Sequence, residues 1–498
     1  MVIQRPNPYT LSVTLVQMTP IFHFQAEEEG ATLRATEVKP KLDRFLIRAA
    51  FNGDYLQYKG FVVASQKDEE TSNIKADDEK SYSLDYRLSI SVEPSSSVDV
   101  VDFYVEQKRT DGDKSDKPKM AFVGSLWDSK TPQKGTMLKP GANIKLNFFS
   151  RHKDLIGVIR NWIDAFFAGE NFGRRQSKGF GSFITERCSK EHKCYEQALQ
   201  QYVRVTGLLG KARDELKVAC INPSFRRFQV DIDGDECPWD ELQITSPTDV
   251  LDAIRDVHRV MKSGLSRPKI KHGYIPSYLL KNYTKQGDLS KFTNEKHAMK
   301  AKILLKIPDL KLPDRTQCNG LPEENRRFYR ALLGLSPFYE FRFLRHPQRE
   351  HESDPKKRML TARINISDAK PLESPVRVAR FRSPITYKPV LIDKVWYCYL
   401  IPTPIPPEMF NRMFTFALCR PLRPKYTDVA SLKNIEWPKP HQTQTPTEQE
   451  FDLLDFLDQF TCEEEERSFR NELVDNKCYI TKCTFSHITV KKEEITDV

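Results

Sequence analysis

Apolar and polar positions alternate over Tyr9–Gln17, with Leu11, Val13 and Leu15 on one side and Thr10, Ser12 and Thr14 on the other. That period of two predicts a half-buried strand. The period changes over Lys41–Phe51, where Leu42, Phe45, Leu46 and Ala49 fall at helical spacing and Lys41, Arg44 and Arg48 lie off the stripe. Pro40 stands where such a helix would begin. Ser83–Val92 alternates again, and further strands are expected at Val100–Gln107, Met120–Trp127 and Asn143–Phe149. The charged stretches Gln66–Lys80 and Lys108–Lys119 read as exposed tips or insertions. Asp154–Ala168 carries a broad helical stripe through Leu155, Val158, Ile159, Trp162, Ile163 and Phe166, with Gly169 suited to end it. A strand is expected at Phe180–Thr185. The order strand, helix, strands, helix, strand is that of an elaborated ferredoxin-like βαββαβ module.

The second half repeats this alphabet. Strands are expected at Lys217–Ile221 and Arg226–Ile232, followed by a helix opened by Ser246-Pro247-Thr248-Asp249, an N-cap with Pro at the first position. Its stripe is Val250, Leu251, Ile254, Val257 and Met261. A strand at Lys300–Ile307, a short basic helix at Asn325–Leu335 and strands at Met359–Ile366, Val376–Ile392 and Val395–Ile401 follow, the last two joined through Asp393-Lys394. Pro402–Pro407 and Pro438–Pro446 predict linkers or edge-running segments. Phe451–Phe460 sets apolar residues among carboxylates ahead of the acidic run Glu463–Glu466, the pattern of a docking helix. The expected fold class is α+β, with two ferredoxin-like (RRM-like) βαββαβ modules carrying insertions. The first covers 1–210, a more divergent second 211–403, and a proline-rich linker with an acidic tail 404–498.

At 498 residues the chain is long for one core, which agrees with two units of roughly 200 residues. No run approaches the roughly 20 apolar residues of a membrane span, and Met1–Tyr9 lacks an export signal, so a cytoplasmic protein is expected. The ten cysteines follow no repeating frame, which suits reduced thiols. Cys188, His192 and Cys194 form half of a zinc pattern, but no second pair follows at suitable spacing, and no metal or cofactor is expected. Asp231-Ile232-Asp233-Gly234-Asp235 lacks the later glutamate of a calcium loop and reads as a turn.

Net charge changes the picture most. It is +10 overall, yet the segment from Glu448 onward carries about −8, leaving about +18 on the rest. Such a basic body interleaved with aromatics favours a polyanion, nucleic acid ahead of membrane. The sharpest local feature is residues 169–182, Gly-Glu-Asn-Phe-Gly-Arg-Arg-Gln-Ser-Lys-Gly-Phe-Gly-Ser. Gly173, Gly179 and Gly181 would let backbone N–H groups approach an anion, while Arg174, Arg175 and Lys178 add charge. The order of a nucleotide-binding P-loop is absent. Phe172 and Phe180 either pack beneath the loop or stack a base.

The helix entering Phe166-Phe167-Ala168-Gly169 and the loop that follows resemble the glycine-rich loop of the RAMP superfamily of CRISPR effector proteins. Thr19-Pro20 and the run Leu33–Phe45 are similar to the end of that family's first strand and its basic first helix. Phe328–Leu335 and Arg380–Pro389 resemble a second, divergent module, the arrangement of the large head subunit of type III-B complexes. This resemblance implies a non-catalytic RNA-binding subunit of an antiviral CRISPR ribonucleoprotein, contacting CRISPR RNA or target RNA and other effector subunits. It implies phosphate contacts from Arg34, Lys39, Lys41 and Arg44, from the loop, and from Arg382 and Lys388. The alternative it leaves open is a metal-independent RNA-processing endoribonuclease, with His23 as general base for a 2′-hydroxyl.

Overall fold

The structure, a computed structural model, describes residues 7–23, 32–63, 82–92, 135–139, 142–209, 213–221, 226–231, 240–242, 244–263, 277–279, 327–344, 359–369, 378, 380–418, 440–461, 467–472 and 477–492. The strands expected at Val100–Gln107, Met120–Trp127 and Lys300–Ile307, and the insertions Gln66–Lys80 and Lys108–Lys119, lie outside these residues. The described chain is α+β, and its strands form four antiparallel sheets of four strands each.

The first sheet takes β1 (Thr10–Gln17), β2 (Arg87–Val92), β3 (Ile144–Phe149) and β4 (Phe183–Thr185) in the order β2-β3-β1-β4. Leu15 lies opposite Ile144 and Ser12 opposite Asn147. Helices α1 (Ala35–Phe51) and α3 (Lys153–Gly169) connect these strands and pack together, burying Leu42, Leu46, Leu155, Ile159 and Phe166 with Leu146 and Phe148. The first helix begins six residues before the expected start, because its apolar stripe extends back to Val38, which is buried. Pro40 therefore sits inside the helix, on an exposed face. It forfeits one hydrogen bond, to the Thr36 carbonyl, rather than starting the helix. After a short helix α2 (Tyr55–Tyr58), the strand expected from Ser83 begins only at Arg87, although Leu84 bridges to Val62. Phe180–Ser182, expected in a strand, belong to the loop that precedes β4.

Two further helices follow, α4 (Glu186–Ser189) and α5 (His192–Arg204). The second went unread in the sequence, although Tyr195, Ala198, Leu199, Tyr202 and Val203 form its buried stripe.

The second sheet orders its strands β10-β11-β5-β16, from β5 (Glu215–Ile221), β10 (Ile385–Ile392), β11 (Val395–Pro402) and β16 (Phe485–Lys491). Asp393 and Lys394 both have positive φ, 51° and 65°, the geometry of a tight two-residue hairpin, and Ile392 pairs with Val395. Strand β10 is shorter than expected, since Arg380–Pro384 runs in as irregular chain. Helix α6 (Pro247–Lys262) carries the expected cap: Ser246 Oγ accepts from the Asp249 N–H, and the Asp249 side chain accepts in return from the Ser246 N–H.

The fourth sheet joins β6 (Arg226–Asp231) and β7 (Asp240–Leu242) to β14 (Arg467–Glu472) and β15 (Lys477–Cys483). A third sheet holds β8 (Phe338–Leu344), β9 (Met359–Asp368), β12 (Met413–Leu418) and, at its edge, β13 (His441–Gln444) within the proline-rich stretch. The short basic helix is one turn, α7 (Tyr329–Leu332).

The segment after residue 404 is not an appendage. Strand β16 pairs with β5 from Phe485 opposite Ile221 to Lys491 opposite Glu215. Helix α8 (Leu453–Phe460) buries Phe456 and Phe460 completely, and Arg213 forms ion pairs with Asp452, Asp455 and Asp458 on its acidic side. The acidic helix thus docks back on the body. Phe460→Ala is expected to destabilise the chain by about 3–5 kcal/mol, read as a lowered urea midpoint; a loss below about 1 kcal/mol would mean that α8 is not part of the core.

Candidate nucleic-acid interface

The glycine-rich loop is a buried joint between the two halves of the chain. Several of its backbone N–H groups are engaged within the protein: Phe172 donates to the Gly181 carbonyl at 2.9 Å, Arg174 to Phe22 at 2.6 Å, Gly181 to Pro20 at 2.8 Å and Gly179 to Gln176 at 3.2 Å. The glycines are needed for packing. Gly173 and Gly181 have φ of 73° and 65°, and a Cβ on either would collide with a backbone carbonyl, of Phe22 and of Phe172 respectively. Phe172 and Phe180 pack beneath, at 0% and 1% exposure, so neither presents a face to a base. The N–H groups of Phe172, Arg174, Gly179 and Gly181 are therefore not offered to an anion.

Strand β10 clasps this loop from the second half. Asn171 Nδ2 donates to the Tyr387 carbonyl at 2.9 Å and Ser182 Oγ to the Pro389 carbonyl at 2.8 Å. Lys388, expected to contact RNA, is 0% exposed and donates to the carbonyls of Glu170 at 2.7 Å and Phe183 at 2.9 Å. Burial pulls its ammonium well below the ordinary lysine value. Lys178 is also turned inward, its Nζ 2.7 Å from His258 Nε2. Burial, then Lys262 and Arg175, lower its pKa strongly. Lys388 is structural, because a side chain enclosed in the core has no phosphate within reach, whereas Lys178 stays partly exposed with its Nζ held by His258. Gly179 lies in the same buried turn, against Ile254 and Pro389. Arg174 and Arg175 keep partial exposure on the outer side of the loop. Burial and the neighbouring Arg174 bring Arg175 down to about 10.

Beside the joint lies an open cleft of about 200 Å3 lined by Lys41, Arg44, Phe45, Arg48, Glu170, Tyr202, Val205, Thr206 and Arg382. Lys41, Arg44 and Arg48 come from successive turns of α1, since positions 41, 44 and 48 share one helical face. Tyr202 comes from α5, and its ring stacks on Phe45 with centroids 5.6 Å apart. Arg382 arrives from the second half, at the entry to β10. Lys41 Nζ donates to Glu170 Oε2 at 2.8 Å, to the Asn171 carbonyl at 2.7 Å and to Gln176 Oε1 at 2.7 Å. Tyr202 donates to Glu170 Oε1 at 2.8 Å.

Burial acts to raise the Glu170 carboxyl, but the Lys41 charge and hydrogen bond, then Arg382 and Tyr202, outweigh it and hold the group below the usual carboxylate range. Glu170 and Lys41 thus neutralise each other as a floor. The exposed guanidinium groups of Arg44, Arg48 and Arg382 stand around it. Such an arrangement can hold phosphate oxygens with bidentate hydrogen bonds.

The structure therefore unites three of the residues expected from sequence, Lys41, Arg44 and Arg382, and adds Arg48. The missed arginine was legible as the residue one turn beyond Arg44 on the polar side of the same helix. Lys39 is used otherwise, donating to Asp43 at 3.0 Å and to the Leu84 carbonyl at 2.8 Å while lying 3.9 Å from the Tyr86 ring centre. Arg34 is half-buried at the N-cap position of α1, with no side-chain capping hydrogen bond. His23 is 9% exposed, with Nδ1 3.9 Å from Glu37 Oε2. Cys188 and Cys194 bring their sulfurs to 3.1 Å, but His192 Nε2 turns to the Tyr399 hydroxyl at 2.8 Å. Among the described residues, no group of three or more His, Cys, Asp or Glu is placed to hold a metal ion, and no helix is long and apolar enough to cross a membrane.

Family comparison places the chain. The model of the Cmr1 N-terminal domain matches residues 8–265, and that of the Cmr1 C-terminal domain matches residues 274–482. The chain belongs to the Cmr1 family. Cmr1 is a RAMP subunit of type III-B CRISPR effector complexes, in agreement with the resemblance read from the loop and first helix. The matched stretches adjoin between residues 265 and 274, so β5 and α6 fall within the N-terminal one. The crystal structure of Cmr1 from Pyrococcus furiosus in its apo form is similar over 88% of this chain and 99% of that one, at 10% sequence identity and a TM-score of 0.32. No curated protein matches the chain.

The Glu170 carboxyl gives a testable pH dependence. Its folded pKa is depressed, so its contribution to stability is full above the unfolded carboxylate value and is lost as pH falls through the folded one. Thermal unfolding scanned from neutral pH into the acid range should therefore fall more steeply for the parent chain than for Glu170→Gln. Parallel profiles would refute the ion-paired floor.

Proposed function

We propose that this Cmr1-family chain is a non-catalytic RNA-binding subunit of a type III-B effector in antiviral defence, holding guide or target RNA by its phosphates. The observation that carries this reading is the cleft in which Arg44, Arg48 and Arg382 converge over a floor neutralised by the Lys41–Glu170 pair. Three exposed arginines beside a lining carboxylate, Glu170, that is already paired with Lys41 suit a polyanion, and their planar guanidinium forks match phosphate oxygens. Contacts of this kind read the backbone, so affinity should depend weakly on base identity. A cytoplasmic location accords with this role.

The same reading carries the fold one step further, to two ferredoxin-like modules. The first sheet supports one, with strands and connecting helices in the order βαββαβ. The second supports another: β5, α6, β10, β11, α8 and β16 follow the same order, and their strands line up in the same pattern, with the other two sheets as insertions.

The endoribonuclease alternative rests on His23 near Glu37, an arrangement of base and orienting carboxylate. Burial of that ring favours the non-catalytic reading, because a general base must come within hydrogen-bond reach of the substrate hydroxyl.

Single-stranded RNA affinity measured against salt tests the cleft. Arg44→Ala/Arg48→Ala/Arg382→Ala should weaken binding and lower the salt slope by about 2, at roughly 0.7 per phosphate contact. An unchanged slope would remove the cleft from the RNA path. The catalytic alternative is tested separately: cyclic-phosphate products formed from RNA in chelator by the parent chain, and lost in His23→Ala, would replace the non-catalytic reading.

A further inference from the structure

The pair Cys188 and Cys194 takes no part in the cleft, in the joint or in any metal group, yet its sulfurs are 3.1 Å apart. That contact is built by the chain's local geometry. Helix α4 ends at Ser189, Lys190 folds back so that its N–H reaches the Arg187 carbonyl at 3.3 Å, and α5 starts at His192. This bend returns the chain so that the third residue of α5 faces the third residue of α4. Cys188 is 1% exposed against the core, whereas Cys194 is half-buried and so the more accessible of the two. Cys194 also lies in the first turn of a thirteen-residue helix, whose N-terminal end favours a thiolate. Arg187, which pairs with Asp164, is electrostatically coupled to both sulfurs.

We propose that Cys188 and Cys194 are a reversible dithiol–disulfide site whose oxidant is a small peroxide, with Cys194 as the attacking thiol and Cys188 as the resolving one. The Cys194 thiolate attacks one peroxide oxygen, the O–O bond breaks, and the departing oxygen takes a proton as water, leaving a sulfenic acid on Cys194. The Cys188 sulfur then attacks the sulfenic sulfur. An S–S bond forms as the S–O bond breaks, and the expelled hydroxide leaves as water with the Cys188 proton. Two electrons pass from the sulfurs to the peroxide, and an external dithiol returns them. The roles follow from access: Cys194 meets the solute, and Cys188, whose thiol is pushed up by burial, is held behind it.

The bond would tie α4 to the first turn of α5, the helix that carries His192 against Tyr399 and Tyr202 against Glu170. Oxidation-sensing of this kind fits a chain whose other fully described cysteines, Cys220, Cys398 and Cys483, are free thiols.

Hydrogen peroxide titration of the full chain, followed by non-reducing tryptic mapping, tests the site. Cleavage after Arg187, Lys190 and Lys193 separates the two cysteines into peptides 188–190 and 194–204. The expected product is these two peptides joined with loss of two hydrogens, and separated again by dithiothreitol. Cys188→Ser, which keeps the attacking thiol, should instead accumulate a sulfenic acid on Cys194 that is trapped by dimedone, and Cys194→Ser should leave Cys188 unmodified. The proposal is overturned if peroxide over-oxidises Cys194 singly in the parent chain while Cys188 stays reduced. It is overturned equally if the purified chain holds stoichiometric zinc that is lost in either serine variant.

Discussion

The ammonium of Lys388, completely enclosed and donating to the Glu170 and Phe183 carbonyls, is the contact on which the arrangement of the two halves depends. Those carbonyls bracket the glycine-rich loop, one at its start and the other just past its end. Taking a lysine head out of water costs several kcal/mol unless hydrogen bonds replace the lost hydration. Here they do so with main-chain oxygens that the tight loop leaves pointing inward. The loop in turn can be this tight only because Gly173 and Gly181 lie where a Cβ would meet backbone. Lysine and glycines therefore form one device, split across more than two hundred residues of sequence.

That device also builds the cleft. Arg382 stands six residues before Lys388 on the same approach to β10, so fixing one places the other. Glu170 gives its carbonyl to Lys388 and its carboxylate to Lys41 and Tyr202. One residue thus links the buried joint to the exposed cations. Neither half of the chain holds the complete set of cleft residues: α1 supplies Lys41, Arg44, Phe45 and Arg48, and the second half supplies Arg382.

Much of this was legible in the sequence, and the limits have physical causes. The α3 stripe, the Ser246 capping box and the Asp393-Lys394 turn are local patterns, and the structure reproduces them. Pro40 misled the α1 boundary because a single-residue signal was weighed above the continuing stripe at Val38. The loop stands out in the sequence, but the packing duty of its glycines and the engagement of Lys178 do not. Glycine and positive charge together suggest a solvated anion site only while the partner of each cation is unknown. Lys178 and Lys388 find their partners in His258 and in loop carbonyls, contacts between residues remote in sequence. The docking of the acidic helix is legible in its apolar stripe, but the place of the strand after it is not, since β16 pairs with β5 across the whole second half. An acidic helix after a proline-rich stretch carries no local mark of its place in the core.

The distinction between the two kinds of cation decides how the basic composition should be read. A charge enclosed with its hydrogen-bond partners contributes to the fold, and its hydration has already been exchanged for protein contacts. It has no counterion to release when RNA arrives. An exposed guanidinium does, and counterion release is the main sequence-independent term in nucleic-acid affinity. The net charge of the chain therefore overstates the charge open to a polyanion, while the proposed site gathers three exposed arginines around a self-neutralised Lys41–Glu170 floor. At the protein surface the repulsion among those arginines is moderated by solvent, so the cleft can stay open without RNA, and a bound phosphate relieves what repulsion remains.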